Sequence, residues 1–357
     1  MDAQYTPADR LEGVTLASGW LIGKRIIKPV GATGGNFGIC YLATLGKKAA
    51  FVKALDFRRA FLEKDFITAL NKLTSEVLWE KEVMEFCKEK AMSRVVRLLS
   101  YEDLILPDDG SDETKKIFCL IFEVGEGDLR AKFDLANNPK HSWRLRVLRD
   151  VALALDQLHR RGVAHLDVKP SNVISVPGAD SLEVMKLADL GRVIRKGMTG
   201  PFDRSAWPGD SAYSPPEKWY GHRSTQWNDE REAADAYLLG NLFVYLMTGL
   251  TMNTLLHNEL PDAFKHGTYR GDFDAQLIDV LRQAQMKALA IHVFPALPND
   301  AHKEQLEAMI VDLTEPDPSR RGDRSARKSG IVGIDRFHQK LHRISGRVAI
   351  EEAKGTA

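Results

Sequence analysis

The stretch HLDVKPSN, His165 to Asn172, carries a carboxylate, an ammonium and an amide: Asp167, Lys169 and Asn172. A second carboxylate, Asp189, follows in LADLG, after a loop and an apolar strand-like run. Oxygen donors such as Asn172 and Asp189 suit a hard cation that keeps several of its waters, as Mg2+ does. A carboxylate next to that cation can orient a hydroxyl for attack, and an ammonium can meet the negative charge of a phosphoryl group in flight. Any one of these residues alone would more often be a cap or a surface group. The ordered set points to phosphoryl transfer.

Such residues need elements on both sides to hold them. From Trp20 to about Lys53 the chain reads as strand, Gly-rich turn, strand, turn, strand, with ICYLATL and AAFVKAL as the apolar runs. Leu73–Lys90 has helical spacing, with Val83, Met84 and Cys87 on one face and Thr74 or Ser75 as the expected cap. VVRLLSYEDLIL and KIFCLIFEV read as two more strands around the polar loop PDDGSDETK. After GEGDLR the pattern turns helical. Trp143–Arg161 lines up Leu145, Leu148, Val151, Leu155 and Leu158, and Gly162 ends the run. Short β-like pieces, NVISV and VMKLADL, then a loop from Gly191 to Pro216, precede a mostly helical remainder. The expected class is α+β.

Bulk properties narrow the function. A chain of 357 residues can bury a real core as two domains or one bilobal unit. A formal charge of +1 gives no case for nucleic acid. The run Ala233–Leu250 approaches the length of a membrane span but contains Asp235 and Asn241, so it is read as a buried central helix, with no membrane span. The start, MDAQYTPADR, lacks the pattern of a signal peptide. Three distant cysteines, Cys40, Cys87 and Cys119, form neither a disulfide framework nor a zinc spacing, which fits a reducing cytoplasm. Arg320 to Arg347 holds nine Lys/Arg against two Asp, read as a solvated basic tail.

HLDVKPSN followed by LADLG resembles the catalytic loop and magnesium loop of eukaryotic-type (Hanks-type) serine/threonine protein kinases, which bacteria also possess. The resemblance runs from the Gly-rich turn near Gly31 to Arg320. It implies a bilobal fold: an extension over 1–19, a small lobe of antiparallel sheet plus one helix over 20–124, a larger, mainly helical lobe over 125–325, and a tail over 326–357. It implies ATP and Mg2+ as cofactors, with Mn2+ as a substitute, and a protein Ser/Thr hydroxyl as acceptor, the kinase itself included. By resemblance Asp167 is the catalytic base, Lys169 the γ-phosphate contact, and Asn172 and Asp189 the metal ligands. Lys53 matches the strand lysine on the α- and β-phosphates. Its partner is expected to be Glu80, with Glu76 and Glu82 open. In GGNFGICYLA, Gly35 and Gly38 let the backbone approach the nucleotide, and Cys40 lines its site. Phe122 matches the gatekeeper, Glu123 and Gly125 offer backbone groups to adenine, and Asp128 reaches for the ribose. Glu217 of AYSPPEKW is expected to pair with Arg320 of DPSRR, and Asp235 to hold the backbone of the catalytic loop.

The chain departs from the family's pattern at several places. Leu166 replaces the arginine before the catalytic aspartate, which removes the charge that an activation-loop phosphate would neutralise. Asp210 stands where a threonine usually touches Asp167 and Lys169, and is expected to pair with Lys169. Phe51 and Phe122 together imply a tight adenine pocket. Leu190 replaces phenylalanine, and Thr33 replaces the first glycine of the nucleotide loop. Two other readings share part of the pattern. A nucleotide-binding module without turnover is motivated by Asp210, Phe51 and Leu166. A small-molecule kinase of the aminoglycoside or choline type shares the Asp and Asn spacing but not the PPE segment or its DPxxR partner.

Overall fold

The computed structural model describes residues 6–27, 38–106, 116–136, 138–178, 183–298 and 301–355. Its first half is a five-stranded antiparallel sheet in the order β1-β2-β3-β5-β4. The strands and helices of this lobe follow as β1 (Leu21–Arg25), β2 (Ile39–Leu45), β3 (Lys48–Asp56), α1 (Arg58–Phe61), α2 (Phe66–Glu89), β4 (Leu98–Ile105) and β5 (Lys116–Glu123).

Side chains alternate across a strand, and here both faces are covered. On β5, Ile117, Cys119 and Ile121 belong to one buried cluster, while Phe118, Leu120 and Phe122 belong to another that includes Val83, Met84 and Cys87 of α2. That explains why KIFCLIF is apolar without alternation. The cover on the outer face is the segment before β1. Ala8, Leu11, Leu16 and Trp20 pack there with Tyr41, Ala43, Ala50 and Val52, and the Tyr41 hydroxyl donates to the Ala8 carbonyl at 2.6 Å.

The helix α2 begins earlier than its spacing suggested. Asp65, not Thr74 or Ser75, caps it by accepting from the Thr68 amide at 3.1 Å. Its first turns lean on no core, as the 70% exposure of Ile67 indicates, so apolar periodicity could not mark them.

The second half is mainly helical. It contains α3 (Leu129–Leu135), α4 (His141–His159), the short strands β6 (Val163–Ala164), β7 (Val173–Pro177), β8 (Glu183–Leu187) and β9 (Ile194–Arg195), then α5 (Pro216–Trp219), α6 (Ala233–Thr248), α7 (Met252–Glu259), α8 (Ala275–Ala288), α9 (Lys303–Thr314), α10 (Arg324–Arg327) and α11 (Ile334–Gly355). Nearly every residue of α6 is buried, and among the described residues no single helix is long and apolar enough to cross a membrane.

Six of the nine Lys and Arg residues of the basic segment face solvent, as expected, but the segment is not a free tail. Phe337, Leu341, Ile344 and Val348 of α11 are buried in the main core, where α11 packs on α4. Asp323 receives Arg336 at 3.2 Å and Lys340 at 2.9 Å, Arg324 meets Asp312, and Arg327 meets Asp229. Arg324 and Arg336 make their pairs from exposed positions, so these charges are paired at the surface, and Arg327 alone of the four is well covered.

Candidate active site

The residues singled out in the sequence converge between the two halves. Lys53 lies on β3 opposite Cys40 of β2, so both point to the same face as Phe51 and Leu55. Its ammonium meets both oxygens of Glu80, at 2.9 and 2.7 Å, and lies 3.7 Å from Asp189. Burial works against the Lys53 charge, but Glu80 and Asp189 outweigh it and hold the pKa above the ordinary lysine value. Glu82, one of the open alternatives, instead meets Arg195 at 3.3 Å. Gly38 sits tightly beside this lysine: a Cβ there would stand 3.0 Å from Lys53 Cγ and 3.1 Å from the Ala54 carbonyl. Gly35 and Thr33 lie outside the described residues.

On the other side stand Asp167, Lys169 and Asn172, all buried. Asp167 Oδ2 receives Asn172 Nδ2 at 2.9 Å and lies 3.2 Å from Lys169 Nζ. Asp167 Oδ1 receives the backbone N–H of Asp210 at 2.8 Å. Burial pushes the Asp167 carboxyl up from its ordinary value, against the pull of Lys169 and that N–H. The carboxylate of Asp210 takes Lys169 at 3.2 Å and the Ala212 amide at 3.0 Å. Lys169 is thus shared by two acids, which hold its pKa up in spite of burial.

Asp189 adopts a left-handed backbone, φ 60°, which turns its side chain towards Lys53. Burial opposes its charge, yet Lys53, then His165, Lys169 and Arg192, keep its pKa low. Because the Asn172 nitrogen is committed to Asp167, its oxygen is the atom left to face a cation. Among the described residues no cluster of three or more His, Cys, Asp or Glu side chains is built to hold a metal. One amide oxygen and one carboxylate suit a hard cation that fills its shell with water and phosphate oxygens.

A protein kinase domain model matches residues 27–325. The chain belongs to the protein kinase family. A serine/threonine-protein kinase, ArnS, from Sulfolobus acidocaldarius is 29% identical over 226 residues, covering 57% of this chain and 33% of that protein. The serine/threonine-protein kinase PknJ of Mycobacterium tuberculosis is 37% identical over 103 residues, 29% of this chain and 16% of its own. An Aurora kinase of Schizosaccharomyces pombe is 26% identical over 222 residues, 62% of this chain and 53% of its own. The chain spans a third or less of the length of the first two and about half of the third.

The kinase cleft continues into the linker between the lobes. Phe122 lies directly across from Phe51, their ring centroids 6.4 Å apart. Gly125 is pressed onto β7: a Cβ would fall 2.2 Å from Ile174 Cγ2 and 2.8 Å from the Ser175 carbonyl. The Glu123 side chain is held by Lys186 of β8 at 2.6 Å and by the Arg97 amide at 2.7 Å. Asp128 caps α3, accepting from the Ala131 amide through Oδ1 at 2.9 Å.

The loop from His165 to Asn172 hangs from Asp235, which is fully buried and receives the backbone N–H groups of His165 at 2.8 Å and Leu166 at 2.7 Å. His159 at the end of α4 completes this anchor, 2.8 Å from Asp235, and sequence reasoning missed it. Burial opposes protonation of His159, but the hydrogen bond and charge of Asp235 raise its pKa above the ordinary 6.5.

One expectation is corrected. The buried partner of Glu217 is Arg321, not Arg320: Arg321 donates to both Glu217 oxygens, at 2.9 and 2.7 Å, whereas Arg320 is exposed. Arg321 also donates to the carbonyls of Glu315, Ala233 and Pro316. Two adjacent arginines carry the same side chain, and the turn after Asp317 decides which one faces inward.

Leu166 is fully buried with a left-handed backbone, φ 61°. It packs with Ala164, Ile194 and Ala234, and half-buried Trp207 and Trp227 close over the group. The backbone conformation costs about 1–2 kcal/mol. Burying the leucine side chain returns about 1.5–3 kcal/mol. Gly209 permits the activation segment to approach this loop, since a Cβ there would stand 2.0 Å from the Leu166 carbonyl oxygen.

Proposed function

We propose that this domain transfers the γ-phosphate of Mg-ATP to a serine or threonine hydroxyl of a protein, itself included. The observation that carries the reading is the closed Lys53–Glu80 pair at 2.7 Å, in the same cleft as an Asp167 held by Lys169, Asn172 and the Asp210 amide. In this reading Lys53 holds the α- and β-phosphates, and Glu80 keeps it in place. Asp167 orients the acceptor hydroxyl and takes its proton, and its raised pKa makes it a better base than an exposed aspartate. Lys169 meets the γ-phosphate. Asn172 and Asp189 would hold Mg2+, which would supply neutralisation of the phosphate charge. Backbone groups of Glu123 and Gly125 receive adenine below Phe122 and Phe51. Asp128 would reach the ribose through its second oxygen, since Oδ1 already serves as a helix cap.

Phosphorylation of the activation segment is not required. An apolar cluster around Leu166 occupies the place where a buried cation would call for a phosphate. Ser214, one of the hydroxyls on that segment, is itself buried and bonded to Ser211. Three buried cysteines, none of them in a disulfide, fit a reducing cytoplasm.

The test is a γ-labelled ATP assay of wild type beside Asp167→Ala and Lys53→Ala, with casein as acceptor and labelled sites mapped. Labelling in wild type alone, unchanged by phosphatase pre-treatment, supports the reading. Labelling retained in Asp167→Ala would sink it. The second reading, a nucleotide-binding module, draws on the sharing of Lys169 between Asp167 and Asp210. It gains if wild type binds Mg-ATP and labels nothing.

A further inference from the structure

Trp79 stands one residue before Glu80 on α2, and nothing above gives it a role. Its indole N–H donates to the carbonyl of Val193 at 3.0 Å. Its ring lies against Gly200: a Cβ at that glycine would stand 2.9 to 3.2 Å from Cζ2, Cε2 and Cη2. Val193 and Gly200 both belong to the segment that starts at Asp189 and runs to the PPE sequence. A second brace joins the same two elements, for Arg195 meets Glu82 at 3.3 Å and its guanidinium lies 4.0 Å from the Phe86 ring centroid.

Successive residues on a helix are rotated by about 100°. Fixing the direction of one side chain therefore fixes the rotational phase of its neighbour. With the indole clamped between Val193 and Gly200, α2 cannot roll without breaking that hydrogen bond or driving the ring into the glycine. Glu80 is then held on Lys53. Gly191 is part of the same arrangement, its Cβ position lying 3.5 Å from Glu80 Oε2.

We propose that Trp79 is a positioning residue, a latch through which the activation segment holds Glu80 on Lys53 without a phosphate. The proposal rests on the reading of Lys53 and Glu80 as the nucleotide-binding pair. Its chemistry is an indole donor and a flat apolar ring, so phenylalanine restores the packing and not the hydrogen bond.

The experiment is a double-mutant cycle between Trp79→Ala and Glu80→Gln, with Trp79→Phe as the conservative variant and melting curves to confirm folding. Mg-ATP affinity and turnover are both measured. The expected outcome is a loss of about tenfold in affinity on Trp79→Ala, a partial loss on Trp79→Phe, and less than about twofold further loss when Trp79→Ala is added to Glu80→Gln. Gly200→Ala is expected to weaken binding in wild type and to do no harm once Trp79 is replaced by leucine. That second pair decides the matter should Trp79→Ala fail to fold. Full multiplication of the Trp79 and Glu80 effects overturns the proposal, as does a folded Trp79→Ala with unchanged affinity. A wild type that binds Mg-ATP but transfers nothing overturns the kinase reading alone, because affinity still tests the latch. A wild type that binds no nucleotide overturns both.

Discussion

Replacing Arg321 by alanine tests the corrected pairing. Glu217 and Arg321 have side chains 1% and 0% exposed, and they meet through two charged hydrogen bonds at 2.9 and 2.7 Å. The variant strands a carboxylate in the interior, and it also takes a donor from the Glu315, Ala233 and Pro316 carbonyls. Breaking one partner of such a buried pair costs about 3–5 kcal/mol. Set against a total stability of about 5–15 kcal/mol, that is a large share. Arg320 is exposed, so Arg320→Ala should change stability by less than about 0.5 kcal/mol. The assay is urea unfolding followed by tryptophan fluorescence and circular dichroism for the two single variants. Adding Glu217→Ala to Arg321→Ala should cost less than the sum of the single losses, because the stranded charge is removed. The reasoning is refuted if Arg321→Ala costs less than about 1 kcal/mol, or if Arg320→Ala destabilises as much.

Leu166→Arg should lose about 3 kcal/mol or more, because Ala164, Ile194, Ala234 and two indoles offer the guanidinium no anionic partner; denaturant unfolding as stable as wild type would contradict this. His159 has a folded pKa above its ordinary value, so its stabilisation is complete below about pH 6.5 and is lost as pH rises through the folded pKa. The stability gap between wild type and His159→Gln should accordingly shrink as pH is raised, and a gap that widens refutes the assignment. Phe122→Ala should open the space facing Phe51 and admit inhibitors that wild type excludes, checked with a binding panel; equal affinities in both proteins would mean that Phe122 does not wall the pocket.

Short-range chemistry was legible from the residues alone. Asp167, Lys169 and Asn172 lie on one tight loop, and five residues of chain leave them little freedom to separate. The alternation on β3 likewise places Phe51 and Lys53 on one face whatever else surrounds the strand. The apolar run of β5 was legible as a strand, but the cover on its two faces was not. The cover proved to be α2 on one face and residues 8–20 on the other.

Sequence spacing favoured Glu80 among the glutamates on α2 but left Glu76 open, since the two are one turn apart and share a face. The choice fell to the position of the helix against Val193 and Gly200, which lie more than a hundred residues away in the chain. Arg320 and Arg321 differ in nothing but the side of the turn from which they leave it. The contact of His159 with Asp235 is likewise a long-range pairing that the sequence did not suggest, whereas the Lys169–Asp210 pair was expected from the residue type at position 210. The sequence by itself determined which chemical groups the loops carry, because covalent connection keeps near neighbours together. Tertiary structure alone decided which charge is buried against which, because the energy of a charge depends on all that surrounds it, and those surroundings come from distant parts of the chain.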